Sequence, residues 1–116
     1  MGAFMKILHI TKNQELSKEI KESIKDSYRE YHTFNFEKAR DLDKGLNYYT
    51  LLIIEADCES NVECEFLMSK ITEAKSNLVN TIIIARDMSL IMKEQIYNKG
   101  VMAIIERDKF DIKRFR

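Results

Sequence analysis

Short apolar runs alternate along this chain with longer stretches of helical period, the pattern of a parallel sheet with crossover helices. "MKILHI" (5 to 10) predicts a buried first strand, and the polar "TKNQ" after it offers Thr11 or Asn13 as a helix cap. Leu16, Ile20 and Ile24 then fall at i, i+4 and i+8, so one helical stripe faces a sheet. "YHTFNF" (31 to 36) alternates weakly and suits an edge strand, and "EKARDLDKGLNYY" carries Ala39, Leu42 and Leu46 on one helical face, with Gly45 loosening its end. "YTLLIIEADCES" supplies the third strand, Leu51 to Ile54, which ends on Glu55. Ser60 with Glu63 reads as a capping box for a helix from about Asn61 through Phe66, Leu67, Ile71 and Ala74. The β-branched run of "NTIIIA" (80 to 85) predicts a fourth strand buried on both faces. Asp87 or Ser89 caps a fourth helix through Met92 and Ile96, which stops at Gly100 in the C′ position. "VMAIIE" (101 to 106) is the fifth strand, and "DKFDIKRFR" opens a last helix that is short or truncated, as in a chain cut from something longer.

Five such units predict a doubly wound α/β fold: a five-stranded parallel sheet in the flavodoxin-like order 2-1-3-4-5, forming one domain over 5–116. Residues 1–4 add nothing to the first strand and read as a variable start or an expression remnant. In a sheet of this order function gathers at the carboxyl ends of strands 1 and 3, beside the switch point. Those ends are Thr11 with Lys12, and Glu55.

Composition narrows the chemistry. Lysine plus arginine and aspartate plus glutamate both number 19, so no global field draws in nucleic acid or an anionic membrane. There is no apolar run of membrane-spanning length and no signal-peptide pattern, which places the protein in the cytoplasm. Cys58 and Cys64 lack zinc or redox spacing and read as reduced structural thiols. His9 and His32 have no acidic or cysteine partner at ligand spacing, and the six methionines read as core filler. The only glycines are Gly2, Gly45 and Gly100, so no phosphate-cradling loop exists, and neither a cofactor nor a metal is expected.

Order and spacing together resemble a response-regulator receiver domain, the CheY-like module of two-component signalling, across residues 5 to 110. The segments that carry the resemblance are "MKILHITKN", "YTLLIIEADCES", "ECEFLMSKI" and "NKGVMAIIERD". The resemblance implies a phosphoacceptor aspartate where this chain has Glu55, and an acidic metal-binding pair where it has Thr11 and Lys12. It implies a serine or threonine at the end of strand 4 where Ala85 stands, with Arg86 one residue on as the other assignment. Arg107 takes the place of the family lysine, Asp108 that of the proline after it, and Ile104 that of the aromatic switch.

These departures imply a degenerate pseudo-receiver. A hydroxyl and an ammonium do not supply the carboxylates a hard cation needs, and Glu55 reaches one methylene further than aspartate. The resemblance places Lys12 and Arg107 beside Glu55, so a fixed carboxylate–cation cluster is expected where other receivers hold metal and phosphate. The expected role is that of a non-enzymatic, phosphorylation-independent domain of a bacterial signalling protein, in contact with a protein partner or its own effector domain. Receivers pair through the fourth helix and fifth strand, which nominates Ile91, Gln95 and Tyr97 and a homodimer through that face. Two other readings compete: an atypical phosphorylatable receiver using Glu55 or Asp57, and a small-molecule-binding regulatory domain with its pocket at the strand ends.

Overall fold

A computed structural model describes residues 5–40, 45–56, 61–86 and 88–106. The strands β1 (Met5–Ile10), β2 (Tyr28–Phe34), β3 (Leu51–Ala56), β4 (Asn80–Ala85) and β5 (Ala103–Glu106) form one sheet in the order β2-β1-β3-β4-β5. All its pairings are parallel. Between the strands lie α1 (Gln14–Ser23), α2 (Phe36–Arg40) with a 3-10 turn (Leu46–Tyr48), α3 (Asn61–Ser76) and α4 (Leu90–Asn98). The doubly wound flavodoxin/CheY-like α/β fold is therefore the one expected from the pattern.

Alternation along the strands divides the core into two layers. Leu8, Ile10, Leu52, Ile54 and Ile83 pack with Leu67, Ile71 and Ala74 of α3 and Ile96 of α4. Ile7, Ile53 and Ile84 pack on the opposite face with Leu16 and Ile20 of α1. Each fully buried isoleucine or leucine contributes roughly 1.5–3 kcal/mol of transfer free energy, and the central strands are apolar toward both layers. That double burial fixes their register, and with it the height at which the residues of their carboxyl ends emerge.

Local chemistry moves several boundaries from their expected places. The second strand begins earlier, at Tyr28, and ends at Phe34, because Asn35 turns the chain: its side chain accepts from the Lys38 amide at 2.8 Å, and Phe36 opens a helix instead of extending the strand. α2 is described over Phe36–Arg40, and Leu46 belongs to a separate 3-10 turn entered from an extended Gly45, so Ala39 and Leu46 do not share one continuous helix; Leu42 lies outside the described residues. Asn13, not Thr11, caps α1, accepting from the Leu16 amide at 3.1 Å. Ser89 caps α4 through the Met92 amide at 3.1 Å, while Asp87, Ser60, Asp57, Arg107, Asp108 and the last expected helix are outside the described residues. β3 continues two residues beyond Ile54, which places Glu55 inside a strand that is buried throughout.

Gly100 closes α4 with φ 93°, the left-handed position glycine adopts without strain. The end of α3 makes the same kind of turn with a leucine: Leu78 has φ 58°, while Val79 donates to the Ala74 carbonyl at 2.8 Å and Leu78 to that of Lys75 at 3.2 Å. Leu78 is 93% exposed and gains nothing from burial. Leu78→Gly is expected to stabilise the domain by about 0.5–1 kcal/mol, the left-handed penalty less the entropy glycine adds to the unfolded chain. The check is the urea midpoint, which rises at unchanged m-value.

Candidate functional site

The carboxyl ends of β1 and β3 meet at a buried polar contact. Thr11 is fully buried and Glu55 is 7% exposed. Between them the Thr11 hydroxyl donates to Glu55 Oε1 at 2.6 Å. The same hydroxyl oxygen accepts from the Asn13 amide at 2.9 Å, which fixes its hydrogen on the carboxylate. Parallel register produces the pairing: Ile10 lies beside Ile54, so the next residue of each strand emerges at the same height.

Lys12, Phe36, Glu55, Ala56, Glu63 and Arg86 line an open cleft of about 250 Å³ above this contact. The Lys12 ammonium forms its ion pair with Glu63 Oε1, in the first turn of α3, at 3.2 Å, and it sits 5.7 Å from the centre of the Phe36 ring. The expected Lys12–Glu55 pair is therefore replaced by Lys12–Glu63. The Lys12 side chain is 62% exposed, and drawing its ammonium down to the buried Glu55 costs hydration that a pairing at the cleft rim retains.

Ala85 and Arg86 divide the end of strand 4 between them. Ala85 is buried and in register with Ala56. Arg86 is exposed, its amide donates to the Ala56 carbonyl at 3.0 Å, and its side chain lines the cleft.

A second ion pair joins Lys93 in the first turn of α4 to Glu106 at the end of β5. Ile104 of β5 is half-buried against the α3–α4 layer. Beyond it α4 turns Ile91 (70% exposed), Tyr97 (52%) and Gln95 to the surface, together with Leu90 (70%).

No protein-family model matches the sequence, and no curated relative matches it. Solved structures do. The non-phosphorylated HemR receiver domain of Leptospira biflexa superposes with a TM-score of 0.72 at 15% identity, covering 97% of this chain and 88% of that one. The pilus assembly protein CpaE of Caulobacter crescentus superposes at 0.71 and 11% identity, with 97% and 88% covered. A CheY-like response regulator protein of Mesorhizobium loti gives 0.67 at 7% identity, with 95% and 91% covered.

The chain has the receiver-domain fold.

Within that fold Thr11 and Lys12, as described, do not fit the role of a divalent-metal pair. A magnesium ion needs near-octahedral oxygen ligands, usually carboxylates and waters. Here a hydroxyl with its hydrogen committed to Glu55, and an ammonium paired with Glu63, stand at the positions nominated for the acidic pair. Among the described residues no group of three or more His, Cys, Asp or Glu side chains is placed to hold a metal ion.

Two participants escape the sequence. Phe36 reads there as the end of a strand, and Glu63 reads as half of a capping box. Only the fold places Glu63 beside Lys12, because the pair is 51 positions apart by their numbers and follows no local period. The two histidines serve the frame. His9 Nδ1 lies 2.7 Å from the Tyr31 hydroxyl under α1, and His32 Nδ1 lies 2.8 Å from the Tyr49 hydroxyl at the sheet edge.

Proposed function

We propose that this receiver-fold domain signals by protein contact, independently of phosphoryl transfer at Glu55, as the regulatory part of a bacterial two-component-type protein. The observation that carries the reading is the Thr11 hydroxyl donating to Glu55 Oε1 at 2.6 Å. One oxygen of the carboxylate at the phosphoacceptor position is already bound by the protein's own donor. Phosphoryl transfer depends on positioning and charge neutralisation, and a misplacement of about 1 Å can lower a rate about 100-fold. The longer glutamate, the engaged Oε1 and the missing acidic pair all weaken those terms.

The output surface is the α4–β5 face. Leu90 and Tyr97 lie seven residues apart, two helical turns, and so share a side of α4, with Ile91 and Gln95 beside them. Exposed apolar side chains grouped in this way mark an interface. Its occupant is an effector domain, a separate protein or a second copy of this chain, and the zero net charge argues against nucleic acid. Among the described residues no helix is long and apolar enough to cross a membrane. The reading places the domain in the cytoplasm and assigns it no cofactor and no catalytic residue.

Titration with magnesium and beryllium fluoride, followed through the backbone amides of Thr11, Lys12, Glu55 and Ala56, tests the proposal. The expected result is no saturable change at millimolar magnesium. Saturable shifts confined to these amides would establish a phosphorylatable receiver instead.

A further inference from the structure

Arg86 lines the cleft without an ion pair among the described residues. The ion pairs among the described residues are Lys12–Glu63, His32–Glu30, Lys70–Glu73 and Lys93–Glu106, and Arg86 belongs to none of them. Its backbone is held at the sheet end by the 3.0 Å bond to the Ala56 carbonyl, while its side chain lines the cleft from an exposed position. Lys12, which lines the same cleft, keeps most of its side chain in solvent even while it pairs with Glu63. Phe36 is 8% exposed and contributes an aromatic surface to the same lining, beside the Lys12 ammonium.

We propose that this cleft receives a carboxylate side chain of a protein partner, with Arg86 as its principal contact and Lys12 as the second. The proposal rests on the reading of the domain as a protein-contact module. Three features select the ligand. A guanidinium presents a planar fork that binds a carboxylate through two parallel hydrogen bonds. The Glu55 and Glu63 carboxyl groups line the same cleft, so a monoanion is favoured over a dianion such as a phosphate ester. The cleft is shallow and open to solvent, with enclosed room for about a water-sized group, so it admits a side-chain terminus and not a cofactor. A partner bound in this way would touch the strand ends directly and sense the Thr11–Glu55 contact beneath.

The test follows the Arg86 Nε–H and the Lys12 and Ala56 amides in the full chain during titration with sodium acetate and with a blocked hexaglutamate peptide. Sodium chloride at matched ionic strength and inorganic phosphate serve as comparisons. The expected result is saturable change with acetate and peptide, tighter with the peptide, weaker with phosphate and absent with chloride. Arg86→Gln is expected to weaken the peptide about tenfold or more. Arg86→Lys, which keeps the charge and loses the fork, should fall between the two. The proposal is overturned if the Arg86 signal follows ionic strength alone, if R86Q binds the peptide as tightly as the parent chain, or if phosphate binds more tightly than acetate. The beryllium fluoride titration reads Glu55 and these titrations read Arg86. A response to beryllium fluoride therefore removes the phosphorylation-independent reading, whereas silence of Arg86 toward carboxylates removes only the ligand.

Discussion

Acidification from neutral to about pH 4 is expected to destabilise the domain by about 3 kcal/mol through His9 alone. The side chain is fully buried, its Nδ1 meets the Tyr31 hydroxyl at 2.7 Å, and its Nε2 has no hydrogen-bond partner. Burial pushes the imidazolium down from 6.5 to about 3, since nothing beside the ring repays the lost hydration of a charge. The folded state therefore binds the proton more weakly than the unfolded chain does. Stability is complete above the unfolded value, falls as the pH drops below 6.5, and levels off below about 3. Each tenfold difference in proton affinity is worth about 1.4 kcal/mol, and roughly two and a half such factors separate the two states near pH 4. Urea unfolding of the parent chain and of His9→Phe across this range isolates the effect from the titrating carboxylates. The parent should lose about 3 kcal/mol more than the variant, and parallel curves would show that His9 is protonated without penalty.

Thr11→Val is expected to cost about 1.5–3 kcal/mol, the range for a hydrogen bond to a charged group. The substitution keeps the shape of the side chain and removes the donor from Glu55 Oε1, along with the acceptor for the Asn13 amide. A double-mutant cycle separates the two losses. In Glu55→Gln the site no longer presents a carboxylate, so adding Thr11→Val should cost about 1 kcal/mol or less. Equal costs in both backgrounds would mean that Thr11 acts only by capping the turn through Asn13. The cycle also reads the function, because an oxygen bound by about 2 kcal/mol to its own protein is withheld by that amount from any incoming ligand.

The sheet was legible in the sequence because its signals are strong and redundant. Runs such as Leu51 to Ile54 and Ile82 to Ile84 have few alternatives to a doubly buried strand, and Gly100 stops α4 where only a left-handed residue closes it. The boundary between the second strand and the helix after it lies at Asn35 and not beyond Phe36, since it depends on the single side chain of Asn35 turning the chain. At the site, Thr11, Lys12 and Glu55 could be placed from strand ends alone, because the positions follow from strand register. Their partners could not. Thr11 meets Glu55 and Lys12 meets Glu63 through tertiary packing, and neighbours in sequence gave opposite outcomes: one hydroxyl buried on a carboxylate, one ammonium left at the rim. Arg86 was in view as an alternative to Ala85, yet both occupy the strand end, one filling the core and the other the cleft.

The position of β1 between β2 and β3 also orders the assembly of the chain. β1 pairs first in sequence with β2 and completes its other edge only with β3, through Ile7 beside Leu51 and Ile10 beside Ile54. During synthesis the amino-terminal strand therefore carries an open hydrogen-bonding edge until β3 has emerged, and non-local parallel pairing of this kind is slow. The Thr11–Glu55 contact spans 44 positions and closes only when that edge is filled. The polar pair at the candidate site thus marks one step of assembly: a chain that presents it has seated β1 against β3, while β4 and β5, which follow Glu55 in the sequence, extend the sheet from the other edge of β3.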